Sequence, residues 1–193
     1  YEIRLQDALE TGMLAPFHYV GVQDYVTTAG ETIDDTADLH RLVADERVRY
    51  VLQQLDYYGY CGSQARGLVF CSRQAEAKEL ATKFTAAGHP AVALTNTDSP
   101  AQRRAAVRQL EQGKLEYIVT VDLFNEGIDI PSLNQVVMLR NTKSSIVFLQ
   151  QLGRGLRKYP AKEYVTVLDF IGNYKNNYLI PLALNHDTSR DVD

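Results

Sequence analysis

Arg154 and Arg157, three residues apart, stand in the run Gln150-Gln151-Leu152-Gly153-Arg154-Gly155-Leu156-Arg157. Each guanidinium offers a permanent charge and a planar fork of N–H donors, which suits a multiply charged anion such as a nucleoside triphosphate. The glycines beside them let another body approach closely. Upstream, Val121-Asp122-Leu123-Phe124-Asn125-Glu126-Gly127-Ile128-Asp129-Ile130-Pro131 places a glycine and carboxylates in a loop after an apolar strand. A third set, Ser72-Arg73 and Thr95-Asn96, follows two further apolar runs. In isolation each feature has a plainer use. The arginines would also suit a solvated helix end, Asp129 a turn cap before Pro131, and Gly127 a positive φ angle.

The elements that must hold these residues alternate in period. Leu68-Val69-Phe70-Cys71 predicts a buried strand, followed by a helix from about Gln74 with Ala77, Leu80, Ala81 and Phe84 on one face and Gly88 as its stop. Ala91–Leu94 is the next strand. Ser99-Pro100-Ala101-Gln102 then combines an N-cap serine, a first-turn proline and a glutamine three residues on, which starts a helix running to Gly113. Tyr117–Val121, Val136–Leu139 and Tyr164–Leu168 are further strands, and Ser145 is expected to cap the helix carrying Gln150. Apolar strands alternating with helices argue an α/β fold with a parallel sheet covered on both faces. Ligands of such sheets bind at loops beyond the carboxyl ends of the strands, where Ser72-Arg73, Thr95-Asn96 and Asp122 to Asp129 fall.

The first sixty residues read differently: one extended edge strand over Ala15–Val22, then a helical region over Thr36–Tyr60 with Val48, Val51, Leu52 and Leu55 on one face. The expected organisation is an N-terminal extension over 1–60, a main domain over 61–180 and a polar tail over 181–193.

Composition narrows the function classes. The 193 residues carry 20 basic and 24 acidic side chains, a net charge of -4, so any nucleic-acid contact would be a local basic strip. Cys61 and Cys71 make no disulfide framework, no His/Cys cluster has zinc spacing, and no metal site is expected. No apolar run approaches membrane-spanning length, so no membrane partner is expected and a reducing cytoplasm is the expected compartment. The opening Tyr1-Glu2-Ile3-Arg4-Leu5 has neither a basic n-region nor an initiator Met, so no signal peptide is expected and an excised piece is the expected origin. Arg103, Arg104 and Arg108 read as a solvated helix face. Tyr57, Tyr58, Tyr60, Tyr174 and Tyr178 read as residues of core packing or of burial at a lobe interface rather than as base-stacking platforms.

Gly67-Leu68-Val69-Phe70-Cys71-Ser72-Arg73, Asp122 to Pro131 and Gln150 to Arg157, in this order, resemble motifs IV, V and VI of superfamily 2 helicases. The chain is similar to their second RecA-like lobe, within the type III restriction-enzyme and DEAD/DEAH-like branch. Leu5 to Val22 is similar to the segment linking the two lobes there. The resemblance implies a three-layer α/β/α RecA-like lobe of the P-loop NTPase type. It also implies an ATP-dependent helicase or translocase whose Mg2+ is held mainly by a missing first lobe. Arg154 and Arg157 would be arginine fingers, while Gln150, Gly127 and Asp129 would line the nucleotide. Arg73, Thr95 and Asn96, expected to follow adjacent parallel strands and so to line one groove, would face the nucleic-acid backbone. DNA is expected over RNA, and the N-terminal lobe of the same protein is the expected partner. Val121 stands where many helicases have threonine, and Glu126 where arginine is common.

The other half of a motor is missing from the sequence. A P-loop needs a glycine-rich turn ending in Gly-Lys-Ser/Thr. The only Gly-Lys pair is Gly113-Lys114, followed by Leu115, and Asp45-Glu46 is followed by Arg47 within a helical pattern. The chain alone is therefore expected to be inactive as an ATPase. The competing expectation is a non-catalytic helicase-like module that binds nucleic acid or protein.

Overall fold

The computed structural model of the chain describes residues 15–33, 37–121, 130–140, 157–160 and 162–171. In chain order these form β1 (Phe17–Gln23), α1 (Leu39–Leu42), α2 (Asp45–Tyr58), β2 (Gly67–Phe70), α3 (Gln74–Ala86), β3 (Ala91–Leu94), α4 (Pro100–Glu111), β4 (Tyr117–Thr120), β5 (Gln135–Met138) and β6 (Val165–Ile171). The strands make one sheet in the order β1-β6-β5-β2-β4-β3, every pair parallel.

The strands are short and apolar because both faces of the sheet are covered. Val69, Val119, Val137, Leu168 and Phe170 point to one side, where Val48, Val51 and Leu55 of α2 and Ala77, Leu80 and Phe84 of α3 join them. Leu68, Phe70, Ile118, Val136, Met138 and Val167 point to the other, against Ala106, Val107 and Leu110 of α4. This is the expected three-layer α/β/α arrangement. No helix among the described residues is long and apolar enough to cross a membrane.

Local chemistry sets the element ends. At α4, Ser99 and Gln102 form a reciprocal capping box, with Ser99 N donating to Gln102 Oε1 at 2.8 Å and Gln102 N to Ser99 Oγ at 3.3 Å. After α3, Gly88 adopts φ +96, a left-handed turn that admits glycine at low cost. Gly67 opens β2 because the ring of Tyr117 lies against it, where an added Cβ would sit 2.3 Å from Tyr117 Cδ1.

Three expectations need amendment. The helical region over 36–60 is two helices, interrupted at Val43 and Ala44 between α1 and α2. Tyr57 is not a core residue of this lobe: it is 79% exposed at the end of α2, edge-on to Tyr58 with ring centroids 4.9 Å apart. The third concerns the loops after β2 and β3. The sequence reading treats those strands as adjacent, but β4 lies between them. A chain that winds outward from β2 to β3 and returns fills the gap with its next strand.

Candidate functional site

Because every strand is parallel, all their carboxyl ends share one edge of the sheet. From β2 the chain passes through α3 toward the β3 edge, whereas from β5 it moves to β6 on the opposite side. The crevice between these diverging connections lies outside the ends of β2 and β5, the place where such sheets bind ligands. The loop after β2 is anchored there: Cys71 N donates to Thr120 O at 3.0 Å, and Leu139 N to Phe70 O at 2.8 Å.

Arg73 sits at the N-cap of α3 with extended backbone (φ -136, ψ 146), and its side chain is exposed. The preceding Ser72 is held from beneath. Both its backbone N and its hydroxyl donate to Glu76 Oε2, at 3.0 and 2.9 Å. Glu76 is fully buried, and its other oxygen lies 3.7 Å from Arg47 Nη1. Arg47, also fully buried, grips Asp24 with two nitrogens, Nε to Oδ1 at 3.0 Å and Nη2 to Oδ2 at 2.8 Å, and donates Nη1 to Leu42 O at 2.7 Å. This group is absent from the sequence reading. Its signal is periodicity: Arg47 falls four residues before Val51 and eight before Leu55, on the buried stripe of α2.

The loop after β3 folds on itself. Thr95 is buried, its backbone N donates to Asp98 Oδ2 at 2.6 Å, and its hydroxyl bonds Asp98 at 3.1 Å and Thr97 at 2.7 Å. Asn96 is exposed and accepts from Gln74 Nε2 at 2.7 Å, a bond that joins this loop to the first residue of α3 across the end of β4. Arg73, Thr95 and Asn96 are thus brought to one stretch of the edge, with Asn96 and Arg73 facing outward and Thr95 holding the turn.

Of the residues expected at the nucleotide, Gly127, Asp129, Gln150 and Arg154 lie outside the described residues. Arg157 is described and exposed. The residues that follow it, Lys158–Pro160 with Lys162 and Glu163, line with Ala15 and Pro16 a depression of about 360 Å³ beside the amino ends of β1 and β6. Among the described residues no group of three or more His, Cys, Asp or Glu side chains could hold a metal ion.

Electrostatics do not activate Cys71 as a nucleophile. Burial, then the Glu76 carboxylate, pushes the Cys71 thiol up, so it stays protonated. Among the described residues, the titratable group with a neutral-range shift is Asp169 of β6, pushed up to about 6 by burial while the Tyr19 hydroxyl, donating at 2.7 Å, pulls the other way. Tyr19 is itself pushed up by burial and then by Asp169.

Known proteins share this pattern. The family model described as the helicase conserved C-terminal domain matches residues 47–159, more than half of the chain. The chain is 32% identical over 158 residues to the type I restriction enzyme EcoKI endonuclease subunit of Escherichia coli, covering 70% of this chain and 13% of that protein. It is 34% identical over 107 residues to putative helicase 22 of a Sulfolobus islandicus filamentous virus, covering 55% of this chain and 19% of that protein. It therefore spans under a fifth of the length of either relative. In fold it is similar to the type ISP restriction-modification enzyme LlaBIII bound to DNA, with TM-score 0.66 and 19% identity over 95% of this chain and 15% of that one. It is also similar to the C-terminal domain of the DEAD-box protein Dbp5, with TM-score 0.60 and 19% identity over 94% of this chain and 89% of that one.

Proposed function

The chain belongs to the helicase conserved C-terminal domain family of superfamily 2, and on that premise we propose that it is the second lobe of an ATP-driven motor on nucleic acid. Arg154 and Arg157 would meet the γ-phosphate of ATP gripped, with Mg2+, by a first lobe. Gln150 would hold the nucleotide, Gly127 would leave the backbone open to it, and Asp129 would accept a ribose hydroxyl. Phosphoryl transfer spreads charge over the phosphoryl oxygens, and an arginine supplied across a cleft stabilises that charge where it develops. Arg73 and Asn96 would meet the nucleic-acid backbone, with Thr95 fixing the turn that presents Asn96. DNA is the favoured substrate.

The observation that carries this reading is the common edge. An all-parallel sheet puts the carboxyl ends of β2, β3 and β4 on one edge of the molecule, with Arg73 and Asn96 outward. Two further facts support a lobe that lends residues to a nucleotide held elsewhere. Gly113-Lys114 lies at the carboxyl end of α4, where Gly113 O accepts from Gln64 Nε2 at 2.7 Å, so no helix N-terminus is there to receive phosphate. Asp45 and Glu46 form the first turn of α2 rather than the end of a strand.

The test is steady-state ATP hydrolysis by a protein carrying both lobes. Arg154→Ala and Arg157→Ala should each lower kcat about a hundredfold or more with the fold intact, because a finger acts on transition-state charge more than on ground-state binding. Arg→Lys should rescue poorly, since the fork is lost. A kcat within about threefold of wild type would remove that arginine from its assigned role. Stimulation by single-stranded DNA and by RNA, measured side by side, decides between the substrates.

A further inference from the structure

Asp24, Arg47 and the Ser72–Glu76 turn come from three separate stretches of chain and meet beneath the loop after β2. Asp24 follows β1, Arg47 lies in the first turn of α2, Glu76 in that of α3, and Ser72 within the loop itself. Asp24, Arg47 and Glu76 are each 2% exposed or less. Two carboxyl groups face one guanidinium away from water. Buried ion groups of this kind are weak as stabilisers, because desolvation offsets much of their attraction. Their strength is geometric. The bidentate fork on Asp24 and the bond to Leu42 O fix the plane of Arg47, and the remaining face of that plane is turned to Glu76.

Glu76 in turn has one oxygen given wholly to Ser72, accepting both its donors. The Cys71 thiol adds a weak contact to Arg73 O at 3.5 Å. The residue after this doubly held serine is the exposed Arg73. The height and direction at which Arg73 leaves the sheet edge are therefore set by a carboxylate that α3 supplies and α2 and β1 hold in register.

We propose that Glu76, held by Arg47 and Asp24, is a positioning residue that presents Arg73 to a nucleic-acid phosphate. The proposal rests on the reading of Arg73 as a phosphate contact, and it adds the residues through which that contact is aligned. It also makes the β1 segment a participant: Asp24 bonds Arg47, and through Arg47 and Glu76 it bears on the loop.

The experiment uses the chain with Glu76→Gln, Asp24→Asn, Ser72→Ala and Arg73→Ala, together with the Glu76→Gln/Arg73→Ala double variant. Exchange of the Ser72 amide is followed by NMR, and binding to a fluorescein-labelled oligothymidylate by anisotropy at several salt concentrations. Glu76→Gln should speed Ser72 amide exchange about tenfold, as expected when a charge-assisted hydrogen bond becomes a neutral one. Asp24→Asn should speed it in the same direction although Asp24 does not touch Ser72. Glu76→Gln should flatten the log–log salt slope by up to roughly one unit, the share of a single phosphate contact. In the Arg73→Ala background Glu76→Gln should cause no further loss, whereas a purely structural role would add to it.

An unchanged Ser72 exchange rate in Glu76→Gln, or an undiminished loss in the double variant, overturns the proposal while leaving the phosphate reading intact. Normal binding by Arg73→Ala overturns the phosphate reading and the proposal with it. If Glu76→Gln fails to fold, Ser72→Ala decides: it removes one donor at a half-buried position, and undiminished binding there overturns the proposal.

Discussion

At the residue scale the informative positions are polar groups in apolar surroundings. The apolar stripe of α2 was legible in the sequence, and the same periodicity put Arg47 on it, but nothing local named its partners. Asp24 and Glu76 lie 23 and 29 residues away in sequence, and only the sheet brings them together. Asp169 is the second such case, and here the sign can be tested. Its carboxyl is pushed from 3.8 to about 6 by burial, so the folded chain keeps a proton that the unfolded chain has lost. Stability from this group is complete below pH 4 and lost as pH rises through about 6. The loss is on the order of 2 to 3 kcal/mol, from roughly 1.4 kcal/mol per unit. In Asp169→Asn the amide oxygen can still accept from Tyr19 and has no charge to bury. Urea unfolding of both proteins between pH 4 and pH 7 should show the variant gaining on wild type across that window. A constant difference would refute the assignment.

At the element scale, local rules explain starts and stops well. Ser99-Pro100 with Gln102 was readable as a helix start from residue types alone, because each satisfies an orphan backbone group. Ser99→Ala removes one half of a box that is exposed to water, and should cost about 1 kcal/mol, the usual range for a lost N-cap. In thermal melts of a chain this size that is roughly 2 to 4 °C in Tm. Gly67 was not readable, because its reason is a ring from another strand. Tyr117 is pinned by its hydroxyl on Gln135 Oε1 at 2.9 Å and by edge contact with Phe84 at 5.5 Å. It cannot turn away from an added methyl without breaking both. Gly67→Ala should therefore lower stability by about 1 to 3 kcal/mol, the range for overpacking a core, although alanine is the better strand former. Unchanged melting would mean that the ring has room the packing does not show.

At the scale of the whole molecule, apolar strands and spaced loops were enough to forecast a covered parallel sheet with its loops on one edge. They were not enough to order it. Treating β2 and β3 as neighbours was an error of topology: which strand fills the space between two others depends on pairings between residues far apart in sequence. The consequence for function is that Arg73 and Asn96 stand two strands apart, bridged by Gln74, and define a short strip rather than a continuous groove. With a net charge of -4 over the chain, that strip works against the general field. Binding of this chain alone to single-stranded DNA should therefore be weak and independent of sequence. Its salt dependence should be shallow, since each neutralised phosphate contributes only about 0.7 to the log–log slope. ATP hydrolysis by the chain alone should be undetectable with or without nucleic acid, because no Gly-Lys-Ser/Thr loop is present to grip the phosphates. Both are measured on one preparation, by anisotropy at several salt concentrations and by phosphate release. A steep slope, sequence-selective binding, or turnover abolished by Arg154→Ala would show that this lobe holds more of the motor than an edge of loops and two arginines.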